Sequence, residues 1–331
     1  MPLRMFRGRA ARLVLASAFG LGIAGVALAS PAEAAASPAF AYVVNSGSNS
    51  VSVVNTANNE ITVNVPVGQA PDAIALTPNG KDAYVANDLS GTVSVISTAT
   101  NTVTATIPVS GLPVAVAVTP NGQEVYVANY SGSSVNVINT ATNTVTATIF
   151  PPGNNEAGLA VTPNGKWVYV ASYGNNEVSV INTATNAIAT TFATGSGPTA
   201  VAITHNGKVA YVVNQQSNTV NVVNTATNTV TGTIPVNGSP AAVAFTPKGT
   251  VAYVTNQGSS DVSVINTKTN AVTSTTFGLA GPVGVAVNHK GTAAYVAENG
   301  GNTLSVISTA TNAVTATISG FNAPDGVAIA K

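Results

Sequence analysis

Two aspartates in equivalent settings are the residues whose chemistry can be argued first. Pro71-Asp72 and Pro324-Asp325 each open a short run of alternating small and larger apolar residues. Carboxylate oxygens are the ligands that hard cations such as Ca²⁺ prefer. We therefore predict that Asp72 and Asp325 belong to a ligand-binding site and are candidate Ca²⁺ ligands. The alternative is a pair of solvated carboxylates that only begin a strand.

Other residue types that carry chemistry are few. The chain has no cysteine and two histidines, and His205 ("THNG") and His289 ("NHKG") each replace the proline of a recurring turn. We expect both in surface turns away from the acids, so neither a zinc site nor a Ser-His-Asp triad is predicted, and no catalytic residue is assigned. Tyr130 and Tyr173 follow strand-like segments and are candidates to stack on a sugar.

The elements that must position these residues recur with a fixed period. Tyrosines recur 42, 42, 43, 42, 42 and 42 residues apart, at Tyr42, Tyr84, Tyr126, Tyr169, Tyr211, Tyr253 and Tyr295. Each period contains four strand-like segments; in the second they are 72–76, 83–87, 92–96 and 102–107, separated by "TPNG", "DLSG" and "STATN". Four short strands joined by tight turns, repeated with a period in the forties, predict the blades of a β-propeller.

One tetrapeptide indicates a family. Tyr253-Val254-Thr255-Asn256, with "YVVN" at 42 and 211 and "YVAN" at 84 and 126, resembles the YVTN β-propeller repeat of bacterial secreted and archaeal surface-layer proteins. The resemblance covers residues 40–331, and Ser172 and Glu298 depart from it in place of the final Asn. It implies a propeller fold but no single activity, because such propellers serve as scaffolds, lactonases and lyases.

The innermost strand of each period indicates a closed ring. Two alternating positions on one face of that strand are Ala or Gly, for example Ala73 and Ala75, whereas the other face is large, as at Ile74 and Leu76. This taper suits strands crowded around an axis. The chain begins in a second strand and ends in a first strand. We therefore predict an all-β, seven-bladed β-propeller with four antiparallel strands per blade, in which the C-terminal strand completes the N-terminal blade.

The N-terminal segment has the composition of an export signal. All four arginines of the chain precede an apolar run from Leu13 to Ala29, which is followed by "ASPAEAAAS". We predict a secretory signal peptide over residues 1–36 and a propeller over 37–331; an uncleaved membrane anchor is the alternative. Removal of the signal leaves seven lysines and ten acids, which does not favour nucleic-acid binding. We expect a monomer that is secreted or associated with the cell surface.

The two faces of the ring are predicted to differ. The turns after the first and third strands are nearly uniform and carry the lysines, whereas the loops after the second strand vary and carry most acids, including Asp88 and Glu298. We predict that the variable face binds a protein or carbohydrate, and that the lysine face contacts anionic cell-envelope polymers. The predicted function is a non-catalytic binding or scaffold module. The alternative is a metal-assisted lactonase or lyase that uses acids at the channel mouth.

Overall fold

The β-strand is the regular element of the whole described chain. A computed structural model describes residues 39–330, where 28 strands form seven four-stranded antiparallel sheets. This confirms the all-β, seven-bladed propeller that the repeated tyrosines predicted. The predicted signal peptide, residues 1–36, lies outside the described residues, as does Lys331.

Each blade contains an innermost, a second, a third and an outer strand. The innermost strands are β4 (Pro71–Leu76), β8 (Pro113–Val118), β12 (Glu156–Val161), β16 (Pro198–Ile203), β20 (Pro240–Phe245), β24 (Pro282–Val287) and β28 (Pro324–Ile329). The second strands are β1 (Phe40–Asn45), β5 (Asp82–Asn87), β9 (Glu124–Asn129), β13 (Trp167–Ser172), β17 (Val209–Asn214), β21 (Val251–Asn256) and β25 (Ala293–Glu298). The third strands are β2 (Ser50–Asn55), β6 (Thr92–Ser97), β10 (Ser134–Asn139), β14 (Glu177–Asn182), β18 (Thr219–Asn224), β22 (Asp261–Asn266) and β26 (Thr303–Ser308). The outer strands are β3 (Glu60–Pro66), β7 (Thr102–Pro108), β11 (Thr144–Ile149), β15 (Ala187–Ala193), β19 (Thr229–Pro235), β23 (Ala271–Phe277) and β27 (Val314–Ser319).

The two ends of the chain close the ring in one blade, which we call the closing blade. Its sheet has the order β28-β1-β2-β3, and β28 pairs antiparallel with β1 in a register that places Ala328 opposite Tyr42. The backbone amide of Ser46 also donates to the carbonyl of Ala323 at 3.0 Å. The predicted closure is therefore confirmed, and it pairs β1 along both of its edges.

Small residues on the innermost strands allow these strands to pack closely around the axis. A Cβ added to Gly158 would collide with the backbone of Thr199 in the next blade, and one added to Gly326 would lie 2.8 Å from the carbonyl oxygen of Asp72. The hydrophobic core lies between the blades: one cluster joins Tyr169 of the fourth blade to Val212 of the fifth. The innermost strands therefore bring one edge of every blade to a shared central channel.

The repeated tyrosine has a second role that the period alone did not show. In six of the seven repeats its hydroxyl donates to the side-chain oxygen of an asparagine 59 or 60 residues later, in the turn between the third and outer strands of the next blade. Within residues 39–330 the pairs are Tyr42–Asn101 (3.1 Å), Tyr84–Asn143 (2.8 Å), Tyr126–Asn186 (2.7 Å), Tyr169–Asn228, Tyr211–Asn270 (2.6 Å) and Tyr253–Asn312 (2.8 Å). These asparagines have left-handed backbone, for example φ 51° at Asn186, a conformation that Asn tolerates better than most residues. We call these contacts the Tyr–Asn interblade bonds.

Candidate functional site

A cavity of about 420 Å³ occupies the channel at its mouth on the variable face. All seven innermost strands line it, and most of the lining residues are Ala, Gly or Val. Its volume lies in the range of ~300–1,000 Å³ that is common for small-molecule sites. The cavity lies on the axis because each innermost strand begins at this face.

The second residue of each innermost strand contributes one position to a ring around the cavity, which we call the inner ring. Its members are Asp72, Val114, Ala157, Thr199, Ala241, Val283 and Asp325, and all of them line the cavity. The two aspartates belong to the closing blade and the blade next to it, so they lie side by side in the ring. Acidic groups therefore occupy one side of the inner ring, and the other side is apolar except for Thr199.

A second ring, the mouth ring, is formed by the residue that follows each second strand. Its members are Ser46, Asp88, Tyr130, Tyr173, Gln215, Gln257 and Asn299. Tyr130, Gln215 and Gln257 line the cavity itself. Sequence reasoning named Asp88, Tyr130 and Tyr173 but missed the two glutamines and Thr199. Their signal was available, because they occupy the same register of the period as the residues that were named.

Asp72 is the most perturbed member of the inner ring. Burial raises the pKa of Asp72 to about 7, and the neighbouring charges of Asp325 and then Asp88 add to the rise. The Asp72 side chain is partly exposed and lines the cavity. The structure thus brings Asp72, Asp325 and Asp88 close enough for their charges to interact.

The other two acids of this group differ in how they are supported. Burial also raises the pKa of Asp325, but the Ser46 hydroxyl and the Asn299 side-chain amide oppose the rise. The Asn299 amide donates to Asp325 at 2.7 Å. Burial raises the pKa of Asp88, and one of its carboxylate oxygens is buried without a hydrogen-bond partner among the described residues.

Three acids on the variable face are buried in the protein rather than presented to a ligand. Glu298 occupies the place of the usual Asn, is 4% exposed, and accepts a hydrogen bond of 2.6 Å from the backbone amide of Ala280. Glu156 is fully buried and accepts from the Ser172 hydroxyl at 2.6 Å. Asp261 accepts from the side-chain amides of Asn256 and Asn237. These acids accept hydrogen bonds within the protein, so fewer carboxylates are exposed on the variable face than the sequence indicated. Glu298 does not line the cavity.

The two predicted tyrosines lie together at the mouth. The ring centroids of Tyr130 and Tyr173 are 6.4 Å apart with their planes tilted by 53°. The Gln216 side-chain amide donates to the Tyr173 hydroxyl at 2.9 Å, whereas Tyr130 lines the cavity and is 37% exposed. Tyr130 is therefore the aromatic surface that a ligand in the cavity can contact.

The remaining candidate groups lie elsewhere. His205 and His289 are exposed at the turns of the opposite face, where the His289 imidazole contacts the Ile329 carbonyl at 3.1 Å. The six lysines within residues 39–330 are exposed on those same uniform turns. In that part of the chain, no group of three or more His, Cys, Asp or Glu side chains is arranged to hold a metal ion. Ca²⁺ binding by Asp72 and Asp325 stays a prediction.

Comparison with known proteins gives a family and a fold. A model of the YNCE-like beta-propeller family matches residues 6–330. A functionally unknown protein from Desulfotomaculum acetoxidans is similar in structure, with a TM-score of 0.79 and 21% identity over 88% of this chain and 98% of that one. Hydrazine synthase from Kuenenia stuttgartiensis is similar with a TM-score of 0.74 and 22% identity, over 81% of this chain and 92% of that one. The dihydro-heme d1 dehydrogenase NirN is similar with a TM-score of 0.65 and 14% identity, over 87% of this chain and 74% of that one. No curated protein matches the chain.

Proposed function

The chain belongs to the YNCE-like beta-propeller family, and from that premise we propose that it is an exported binding module that holds a small molecule at its channel mouth. The observation that carries the proposal is the cavity of about 420 Å³, which has carboxylates on one side, an aromatic ring in the blade beside them and amides on the opposite side. A concave, mainly apolar cavity with a few convergent polar groups is the usual form of a small-molecule site.

The surface around the cavity favours the same face for a larger partner. Three of the most exposed large apolar side chains lie on the variable face: Leu89 (64% exposed), Phe150 (67%) and Phe277 (70%). Exposed apolar residues at loops that differ between blades are typical of binding surfaces. We propose that a protein or a carbohydrate chain that carries the small ligand contacts these residues.

Export is part of the proposal. It depends on the cationic and apolar segment over residues 1–36, and the YVTN-type tetrapeptides support a place among secreted or surface-associated repeat proteins. Within residues 39–330, no helix has the length and apolar character that a membrane span requires. Mass spectrometry of the protein from culture medium and cell fractions tests this: a mature N terminus near residue 35 or 37 supports export, and an intact Met1 in the cytoplasm contradicts it.

Ligand binding is tested with a variant that fills the cavity. Ala241 belongs to the apolar side of the inner ring, so Ala241→Leu narrows the cavity without changing a carboxylate. The melting temperature is measured for the parent and this variant against a panel of sugars, amines and carboxylic acids. Ala184→Leu, at an exposed turn on the uniform face, is the control. The proposal predicts compounds that stabilise the parent and the control but not Ala241→Leu; equal stabilisation of all three contradicts it.

A hydrolase of the lactonase type is the second candidate. It is favoured by Asp72, because a carboxyl group that lines a cavity and has a pKa of about 7 is suited to act as a general base at neutral pH. Such an enzyme predicts that lactone hydrolysis by the purified protein rises with pH through this pKa and is lost in Asp72→Asn. Hydrolysis that Asp72→Asn leaves unchanged would remove this candidate.

A further inference from the structure

Asp72, like its neighbour Asp88, has no recorded hydrogen-bond partner for its carboxylate within residues 39–330, whereas several other acids on this face have one. Asp325 accepts a hydrogen bond from the Asn299 side chain, Glu156 accepts one from the Ser172 hydroxyl, and Glu298 accepts one from a backbone amide. The Asp72 side chain is partly exposed and lines the cavity, and burial together with the charges of Asp325 and Asp88 raises its pKa. Neighbouring carboxylates at the wall of a cavity raise the cost of ionising one another, so this arrangement favours a ligand that brings positive charge.

The charges around Asp72 define what such a ligand must carry. On one side Asp72 faces Asp325 of β28, on another it faces Asp88 at the end of β5, and on the β8 side the inner ring offers only Val114. The lysines and histidines of the described chain lie on the opposite face. No protein cation therefore neutralises these carboxylates within residues 39–330, and a cationic ligand would lower the cost of ionising them.

The cavity wall distinguishes an organic cation from a metal ion. A metal ion needs several oxygen ligands around one point, and the described chain has no group of three or more acids or histidines in that arrangement. Most of the cavity is instead bordered by Ala, Gly and Val, and Tyr130 lies at its mouth. Such a wall suits the apolar body of a ligand whose charged end reaches the acids, and an aromatic ring adds attraction to organic cations.

We propose that the channel-mouth cavity binds a small organic cation, with an ammonium or guanidinium group against Asp72 and Asp325 and an apolar body along the wall toward Tyr130. This inference rests on the proposed binding function and specifies the class of its ligand. The cation donates hydrogen bonds to Asp72, while Asn299 already supports Asp325. Asp72 therefore contributes more to affinity than Asp325.

Binding of such a cation is linked to loss of a proton from Asp72. A carboxyl group with a pKa near 7 is mostly protonated at pH 6 and mostly ionised at pH 8. Only the ionised form pairs with the cation, so affinity rises with pH, by about tenfold between pH 6 and pH 8 if Asp72 alone titrates. The protonation of the amine does not change over this range, because its pKa is near that of lysine.

The test is calorimetric titration of the full mature protein. The probes are 2-phenylethylammonium, hexylammonium and phenylguanidinium chlorides, with 2-phenylethanol and 1-hexanol as neutral counterparts and CaCl₂ as the metal alone. The variants are Asp72→Asn, Asp325→Asn and, as a control at the opposite face, Asp82→Asn. We expect at least one organic cation to bind the parent and Asp82→Asn with one site, to bind Asp72→Asn at least tenfold more weakly, and to gain affinity from pH 6 to pH 8.

The outcomes separate this inference from the binding function on which it rests. If none of the organic cations binds the parent, or if Asp72→Asn binds them as tightly as the parent, the inference is wrong. Binding of Ca²⁺ alone also overturns it. If neutral compounds stabilise the parent and lose that effect in Ala241→Leu, the binding function stands and only the cation is excluded. If every compound that stabilises the parent stabilises Ala241→Leu equally, both the binding function of the cavity and the cationic ligand are excluded.

Discussion

Replacing Asp72 by Asn should stabilise the protein at neutral and alkaline pH and leave it unchanged in acid. Asp72 has a pKa of 3.8 in an ordinary setting and about 7 in the fold, chiefly because of burial. A carboxyl group whose pKa is higher in the folded state holds its proton more tightly there. Its contribution therefore favours folding below about pH 4 and is lost as the pH rises toward 7.

The size of the effect follows from this difference in pKa. Each pKa unit corresponds to about 1.4 kcal/mol, so the rise in the pKa of Asp72 sets an upper limit of about 4 kcal/mol at pH 8. Part of the carboxyl surface faces water in the cavity, which screens the charge, so we expect roughly half of that limit. Asn has the same shape and no charge. Asp72→Asn should therefore exceed the parent in free energy of unfolding by about 2 kcal/mol at pH 8.

The assay is urea unfolding of the parent and Asp72→Asn at intervals from pH 4 to pH 8. Burial raises the pKa of Glu156 to about 7 as well, so the parent loses stability with pH for two reasons, and the difference between the two proteins isolates Asp72. Asp82→Asn, on the opposite face, is the control and should follow the parent at every pH. The reasoning is refuted if Asp72→Asn is no more stable than the parent at pH 8, or if it is equally stabilised at pH 4.

Three further predictions concern the frame and the other face. Tyr126→Phe removes the Tyr–Asn interblade bond to Asn186 and should lower the free energy of unfolding by about 1 kcal/mol. The loss in the double variant with Asn186→Ala should be smaller than the sum of the two single losses; additive losses would contradict the bond. Deletion of residues 320–331 removes β28 and should abolish cooperative unfolding, which calorimetry checks; a soluble and equally stable product would refute closure. The double variant Lys166→Glu, Lys208→Glu should bind more weakly than the parent to anionic envelope polymers or anionic vesicles, and added salt should weaken binding of the parent. Binding that changes neither with salt nor in the double variant would contradict the prediction for the lysine face.

The propeller fold was predictable because its sequence repeats. The period of the tyrosines and the small residues of the innermost strand gave the number of blades, the strands within a few residues, and the closure through β28. Register along a repeat is set by local turn chemistry and alternation, which are visible in the sequence. The Tyr–Asn interblade bonds were also encoded, but only in the spacing of 59 or 60 residues between two repeated positions, which no single blade shows.

The acids show where sequence reasoning fails. Asp72 and Asp325 were correctly placed beside one another, because they share a register position in blades that closure makes adjacent. Glu298, by contrast, was assigned to the same group although it stands at a buried position and its side chain folds back onto a loop amide. A residue's face follows from its register, but the direction of a loop side chain depends on tertiary contacts. The replacement of both Pro and Asn in one blade, by Glu156 and Ser172, was a sign that these two residues compensate each other.

The central claim, that this propeller binds its ligand at the channel mouth, is tested most directly by a crystal structure of the mature protein with the compound that stabilises it most. The account predicts ligand density within the cavity, with a polar or charged group against Asp72 and Asp325 and the body facing Tyr130. Density on the lysine-bearing turns of the opposite face, or on an outer strand with the cavity unchanged, would contradict it.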